Sequence, residues 1–147
     1  MRLLLALTPL LLCACSTTIT PANQAASAPD STFSHRLLNQ VLSEHVDDSG
    51  RVDYAALLAR PEALDRYYSL VAEYSPDTHA HLFPDEAARF AYWINAYNAA
   101  VLKTVLTHYP ITSVSDVAAP PLASLIADQI GFFFFQKLVF GGAKINL

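Results

Sequence analysis

Pro84 to Tyr109, PDEAARFAYWINAYNAAVLKTVLTHY, decides how this chain is read. A helix over this stretch would be about 40 Å long at 1.5 Å per residue, long for a domain of this size. Phe83-Pro84-Asp85-Glu86 is a suitable start, with a proline for the first turn and two acids at the positive end of the helix dipole. Pro110 is the stop. At 100° per residue, Phe90, Val101, Ile94, Ala87, Val105, Asn98, Ala91, Tyr109, Leu102, Asn95, Leu106, Ala88, Ala99 and Tyr92 fall in one arc of roughly 200°. Arg89, Lys103, Thr104, Thr107 and Glu86 fall opposite, with Trp93 and Tyr97 on the flank. So wide an arc predicts a helix covered by several elements.

Asn95 and Asn98 lie near the middle of that arc. A buried amide without a partner is costly, so both are expected to be bonded. Two arrangements satisfy this. In one, the asparagines bridge to neighbouring backbone and fix how elements dock. In the other they line a pocket and orient a ligand or catalytic group. They are the candidate polar pair.

Upstream of the helix, Phe33, Leu37, Leu38, Val41, Leu42 and His45 recur at helical spacing, with Ser31 or Thr32 as a candidate cap. Asp47-Asp48-Ser49-Gly50 ends that helix in a turn. A calcium loop is disfavoured, because the acids do not alternate regularly and Leu58 stands where a bidentate Glu belongs. An extended piece over 51–54 leads to a short helix over 55–59 and a longer one over 61–74, whose buried stripe is Leu64, Tyr67, Tyr68, Val71 and Ala72. His79 and His81 form an H-x-H pair in the following loop, without a carboxylate or third histidine nearby in sequence to complete a metal site.

The 147 residues are 53% hydrophobic and 15% charged, enough for one globular domain once a leader is set aside. Arg2 followed by the apolar run Leu3–Leu12 predicts a signal peptide over 1–14, too short to span a bilayer. Leu12-Cys13-Ala14-Cys15 resembles the lipobox of bacterial lipoproteins, with Cys15 as the lipidation site; Cys13 follows Leu12 where a small residue is expected. That resemblance implies a lipid anchor, and Ser16 after the cysteine implies sorting to the periplasmic face of the outer membrane. Residues 15–32, small, polar and interrupted by proline, read as a lipidated tether, and 33–147 as a partial globular domain. Cleavage before Cys15 would leave a net charge of about −5, with no electrostatic footprint for nucleic acid. Both cysteines sit at the signal end, so the domain has no thiol for a disulfide, nucleophile or metal site. No cofactor is implied, and the membrane is the expected partner.

Tyr92-Trp93-Ile94-Asn95-Ala96-Tyr97-Asn98-Ala99 resembles the F-W-I-N-x-Y-N-A signature of the family catalogued as domain of unknown function 547, with Tyr92 in place of the usual Phe. Val52-Asp53-Tyr54, His108-Tyr109-Pro110 and the aromatic run before Gly141-Gly142 agree with the same family, so the resemblance covers roughly residues 50–147. It implies a domain that continues past the Gly-Gly hairpin, through a helix beginning with acidic residues and a segment rich in His and Cys. A truncated copy is therefore expected.

Gly141-Gly142 between Phe132–Phe140 and Ala143–Leu147 predicts a two-residue hairpin. Its register sets Phe140 opposite Ala143, Val139 opposite Lys144, Leu138 opposite Ile145 and Lys137 opposite Asn146. Half of Phe132–Phe135 would need cover on a second face. The predicted class is α+β, mostly helical, with a central long helix and a C-terminal β-hairpin, as an incomplete domain. Three functional readings follow: a membrane-anchored lipoprotein domain of unknown molecular role, a fragment of a Cys/His-dependent hydrolase or transferase whose catalytic part lies downstream, or a periplasmic binding or scaffold module using an exposed aromatic surface.

Overall fold

The computed structural model describes residues 17–21, 31–114, 117 and 136–146. In chain order they form β1 (Thr17–Thr18), α1 (Arg36–His45), α2 (Tyr54–Ala59), α3 (Glu62–Glu73), a 3-10 turn over Ala80–Leu82, α4 (Glu86–His108), β2 (Gln136–Phe140) and β3 (Ala143–Asn146). The class is α+β and mostly helical, as expected. The elements begin where local chemistry allows. Asp53 accepts from Ala56 N at 2.9 Å and Asp85 accepts from Ala88 N at 2.8 Å, each satisfying a free amide of a first helical turn. The carboxylate of Asp47 takes the amides of Ser49 and Arg51 and the Ser49 hydroxyl, which fixes the turn after α1. Val46 and Val52 then meet in an antiparallel bridge.

α3 buries the predicted stripe: Leu64, Tyr67, Tyr68, Val71 and Ala72 are all inaccessible or nearly so. It packs on α1 through Leu38 and Val41 and on α4 through Tyr92. Phe33, Phe83, Tyr67 and Tyr92 form an aromatic cluster beside them, with Phe33 stacked on Phe83 at 5.4 Å and edge-on to Tyr92 at 5.2 Å. Each large ring removes a large apolar area from water, so this cluster dominates the core.

β2 pairs with β3 in the register read from Gly141-Gly142. The turn does more than reverse the chain. Gly141 N donates to Val71 O at 3.1 Å and Gly142 N donates to Ala72 O at 2.6 Å, two carbonyls at the C-terminal end of α3 that lack helical partners. Both glycines have positive φ, 53° and 80°. A Cβ on Gly141 would lie 2.3 Å from Ser75 Oγ, so only glycine fits there.

The sheet gains a third strand where a tether is expected. Thr17 and Thr18 pair in parallel with Gln136 and Lys137, Ile19 is buried, and Ile19 N donates to Lys137 O at 2.8 Å. As the strands part, Tyr68 Oη accepts from Val139 N and donates to Ile19 O, both at 3.1 Å. The phenol thus acts as a spacer in the ladder. Of the segment read as tether, at least residues 17–19 belong to the domain. The signal region, Cys15, Phe132–Phe135 and Leu147 lie outside the described residues. Among those described, no helix is long and apolar enough to cross a membrane.

Candidate functional site

α4 is apolar on almost every side, and that makes its orientation hard to assign from composition. Its packed face is formed by Tyr92, Ala96, Ala99, Ala100, Leu102 and Leu106. Tyr92 anchors it, buried completely, with its hydroxyl donating to Val71 O at 2.9 Å. Three alanines at the centre let α4 approach the core closely. Lys103, expected on the solvent side, instead forms a largely buried ion pair with Asp65 of α3. Thr104 is likewise buried and donates to Ala100 O at 2.8 Å.

The expected buried arc is therefore turned by roughly 100° about the helix axis. Phe90 is 67% exposed, Ile94 46%, Tyr97 46% and Trp93 37%. These residues, spaced i, i+3, i+4 and i+7, form one continuous apolar face that no described residue covers. Asn98 is exposed beside this face, next to Ile94 on the helix, whereas Asn95 is half-buried on the packed side, between Leu102 and Leu106 in angular position. Neither amide hydrogen-bonds to a described residue. The expectation that both are buried and bonded is corrected: the residues that pack α4 are smaller than those it displays, Asn98 goes with the displayed set, and Asn95 is half-buried without a bond among the described residues.

The face carries a depression at its N-terminal end. Glu86, Ala87, Arg89, Phe90 and Trp93 border an open depression of about 490 Å³. Trp93 closes its inner side, edge-on to Tyr92 at 4.9 Å and to Phe140 at 6.2 Å. Trp93 thereby joins the displayed face to the hairpin. The hairpin shows a smaller mismatch of the same kind, since Ile145, opposite buried Leu138, is 41% exposed.

Polar groups elsewhere are mostly occupied. His35 Nδ1 lies 2.7 Å from Tyr67 Oη; burial holds the imidazole below its usual pKa and pushes the Tyr67 phenol up, with Tyr92 adding to the latter. Neutral imidazole and protonated phenol suit this bond, the phenol donating. Asp47 is held down to about 2, first by the Ser49 hydroxyl and then by the Arg51 amide. His79 and His81 have ring centroids 6.1 Å apart, and His79 Nδ1 is 2.9 Å from Thr78 Oγ1. Among the described residues no group of three metal-ligating side chains occurs.

Two polar atoms were not foreseen from the sequence. His45 Nδ1 and Gln136 Oε1 are buried without hydrogen-bond partners among the described residues. Gln136 Nε2 lies 3.3 Å from His108 Nε2, which places the start of β2 at the C-terminal end of α4. A glutamine leading an apolar strand carries no sequence signal for this. No protein-family model matches the chain, no curated protein matches it, and no solved structure matches it.

Proposed function

We propose that this chain is a lipid-anchored docking module of the periplasmic face of the outer membrane. Its α4 face, Phe90, Trp93, Ile94 and Tyr97, takes an apolar helix or strand of another polypeptide. The observation that carries the reading is the exposure of four large apolar side chains in one helical register. Together they present on the order of 400 Å² of apolar surface, within the range of the largest patches on monomeric proteins, which are often functional.

The area limits how tightly such a face can hold. At about 25 cal/mol per Å² the gross gain is on the order of 10 kcal/mol, similar to the cost of association itself. Apolar contact alone gives a weak complex, so the amide beside the face matters. Asn98 is exposed and offers donors and acceptors that are unbonded among the described residues, and an occupant matching them is distinguished from one that leaves them stranded. Membership of the family catalogued as domain of unknown function 547 is proposed with it, from the Tyr92–Ala99 stretch.

A photo-crosslinking residue at Phe90 or Tyr97, in the acylated protein in cells, tests the reading against the same residue at exposed Arg60. One defined adduct with a polypeptide at both α4 positions, absent at Arg60 and lost on Ile94→Asp, supports it. Adducts with lipid, or none at either position, would refute it.

A further inference from the structure

We infer that the domain stands directly on the bilayer, with the pole formed by Thr17, Gln136 and His108 against the lipid and the α4 face held away from it. This rests on the anchor at Cys15 proposed above.

Thr17 follows Cys15 by two residues, which span at most about 7 Å. A free tether over 15–32 would instead have a typical reach of roughly 23 Å. The leash cannot be that long, because the chain is already held at Thr17. Thr17 and Thr18 pair with β2, Ile19 is buried and bonded to Lys137 O, and the Tyr68 hydroxyl holds the Ile19 carbonyl. The polar zone of one leaflet is about 5–8 Å thick, so a cysteine whose acyl chains enter the hydrocarbon places Thr17 near the headgroup–water boundary.

The pole that touches the membrane follows from the pairing. Thr17 is opposite Gln136, and Gln136 reaches His108, the last residue of α4. At the other end of β2, Phe140 meets Trp93. β2 and α4 therefore run in opposite directions, and Trp93 lies 15 residues, about 22 Å, up the helix from His108. With the His108 pole down, Phe90 to Tyr97 are presented to the periplasm rather than to lipid. That orientation suits a polypeptide occupant and keeps the apolar face from lying in the membrane interface, where an amphipathic helix otherwise settles.

The acylated full-length protein in phosphatidylcholine vesicles containing a headgroup spin-labelled lipid tests this. Palmitate labelling, with Cys15→Ala as control, is measured first: absence of label on Cys15 overturns the anchor and the orientation with it. Trp93 is the single tryptophan and reports one position; a fluorophore on Thr107→Cys, an exposed site one residue before His108, reports the other. With acylation confirmed, the fluorophore is expected to lose most of its emission while Trp93 is unchanged. A Gly-Ser insertion of about a dozen residues between Ser16 and Thr17 should restore the emission at position 107, since the leash then reaches about 20 Å. Quenching of Trp93, alone or with the fluorophore, overturns the orientation while leaving the anchor standing. Quenching at position 107 that survives the insertion overturns the short leash.

Discussion

Replacing Tyr68 by Phe removes one oxygen where β1, β2 and α3 meet, and it should cost more than the same change at Tyr92. The Tyr68 ring is fully buried, so the substitution leaves packing intact and isolates the hydroxyl. That hydroxyl accepts from Val139 N and donates to Ile19 O. Its loss strands a buried carbonyl and a half-buried amide, each worth about 1–3 kcal/mol when unsatisfied, with Val139 at the low end because it is closer to water. We expect about 2–3 kcal/mol. Tyr92 donates to Val71 O, but that carbonyl also accepts from Gly141 N, so Tyr92→Phe leaves it bonded. Only the net value of one hydrogen bond is lost, about 1 kcal/mol. Urea unfolding of the unacylated chain measures both; at about 1–3 kcal/mol per molar urea, the Tyr68 variant should unfold about 1 M or more below the parent. Amide exchange at Val139 should accelerate in the Tyr68 variant and not in the other. Equal destabilisation within about 0.5 kcal/mol, or the reverse order, would refute the account of the phenol as a spacer in the ladder.

Gly141→Ala should destabilise by about 2 kcal/mol or more, since positive φ and the contact with Ser75 act together, whereas Gly142→Ala, which meets nothing within 4 Å, should cost about 1 kcal/mol. Thermal unfolding of the two variants checks the order. His35 has a native pKa below its unfolded value of 6.5, so as pH falls through that range the unfolded chain binds a proton that the native state does not. The stability His35 contributes is thus complete above 6.5 and is lost toward acid; His35→Gln should flatten the fall in Tm between about pH 7.5 and pH 5. Phe90→Ser with Ile94→Ser should leave the unfolding midpoint within about 0.5 kcal/mol of the parent while reducing binding of an apolar dye, because neither side chain is packed in the core.

Much of the fold could be read from the chain because some signals have a single interpretation. Gly141-Gly142 fixed the hairpin register, since a two-residue turn with both φ angles positive leaves no freedom of pairing. The stripe of α3 is flanked by Glu62, Asp65, Arg66 and Glu73, so its buried face is unambiguous. α4 offers no such contrast. A wheel gives weight to Phe90, Ile94 and Val101, yet close packing favours Ala96, Ala99 and Ala100, and the ion pair with Asp65 draws Lys103 inward. β1 was missed for a different reason: two threonines and an isoleucine are too short for periodicity, and their place depends on a tyrosine hydroxyl some 49 residues away.

Asn98 gives the displayed face a means of discrimination. A continuous stripe of Phe90, Trp93, Ile94, Tyr97 and half-buried Val101 would adhere to any apolar surface, including another copy of itself. An amide within that stripe changes the balance. An occupant that covers Asn98 without bonding it incurs about 1–3 kcal/mol, roughly a fivefold to hundredfold loss of affinity, whereas one that bonds it does not. Asn98→Leu should therefore raise self-association and dye binding while leaving the unfolding midpoint nearly unchanged, because the side chain is exposed in the free protein. In the same variant, the defined adduct at Tyr97 should weaken or give way to several. Sedimentation of the unacylated chain and crosslinking of the acylated one read the two effects separately. Unchanged sedimentation together with an unchanged adduct would mean that Asn98 does not face the occupant, and the docking surface would have to be redrawn without it.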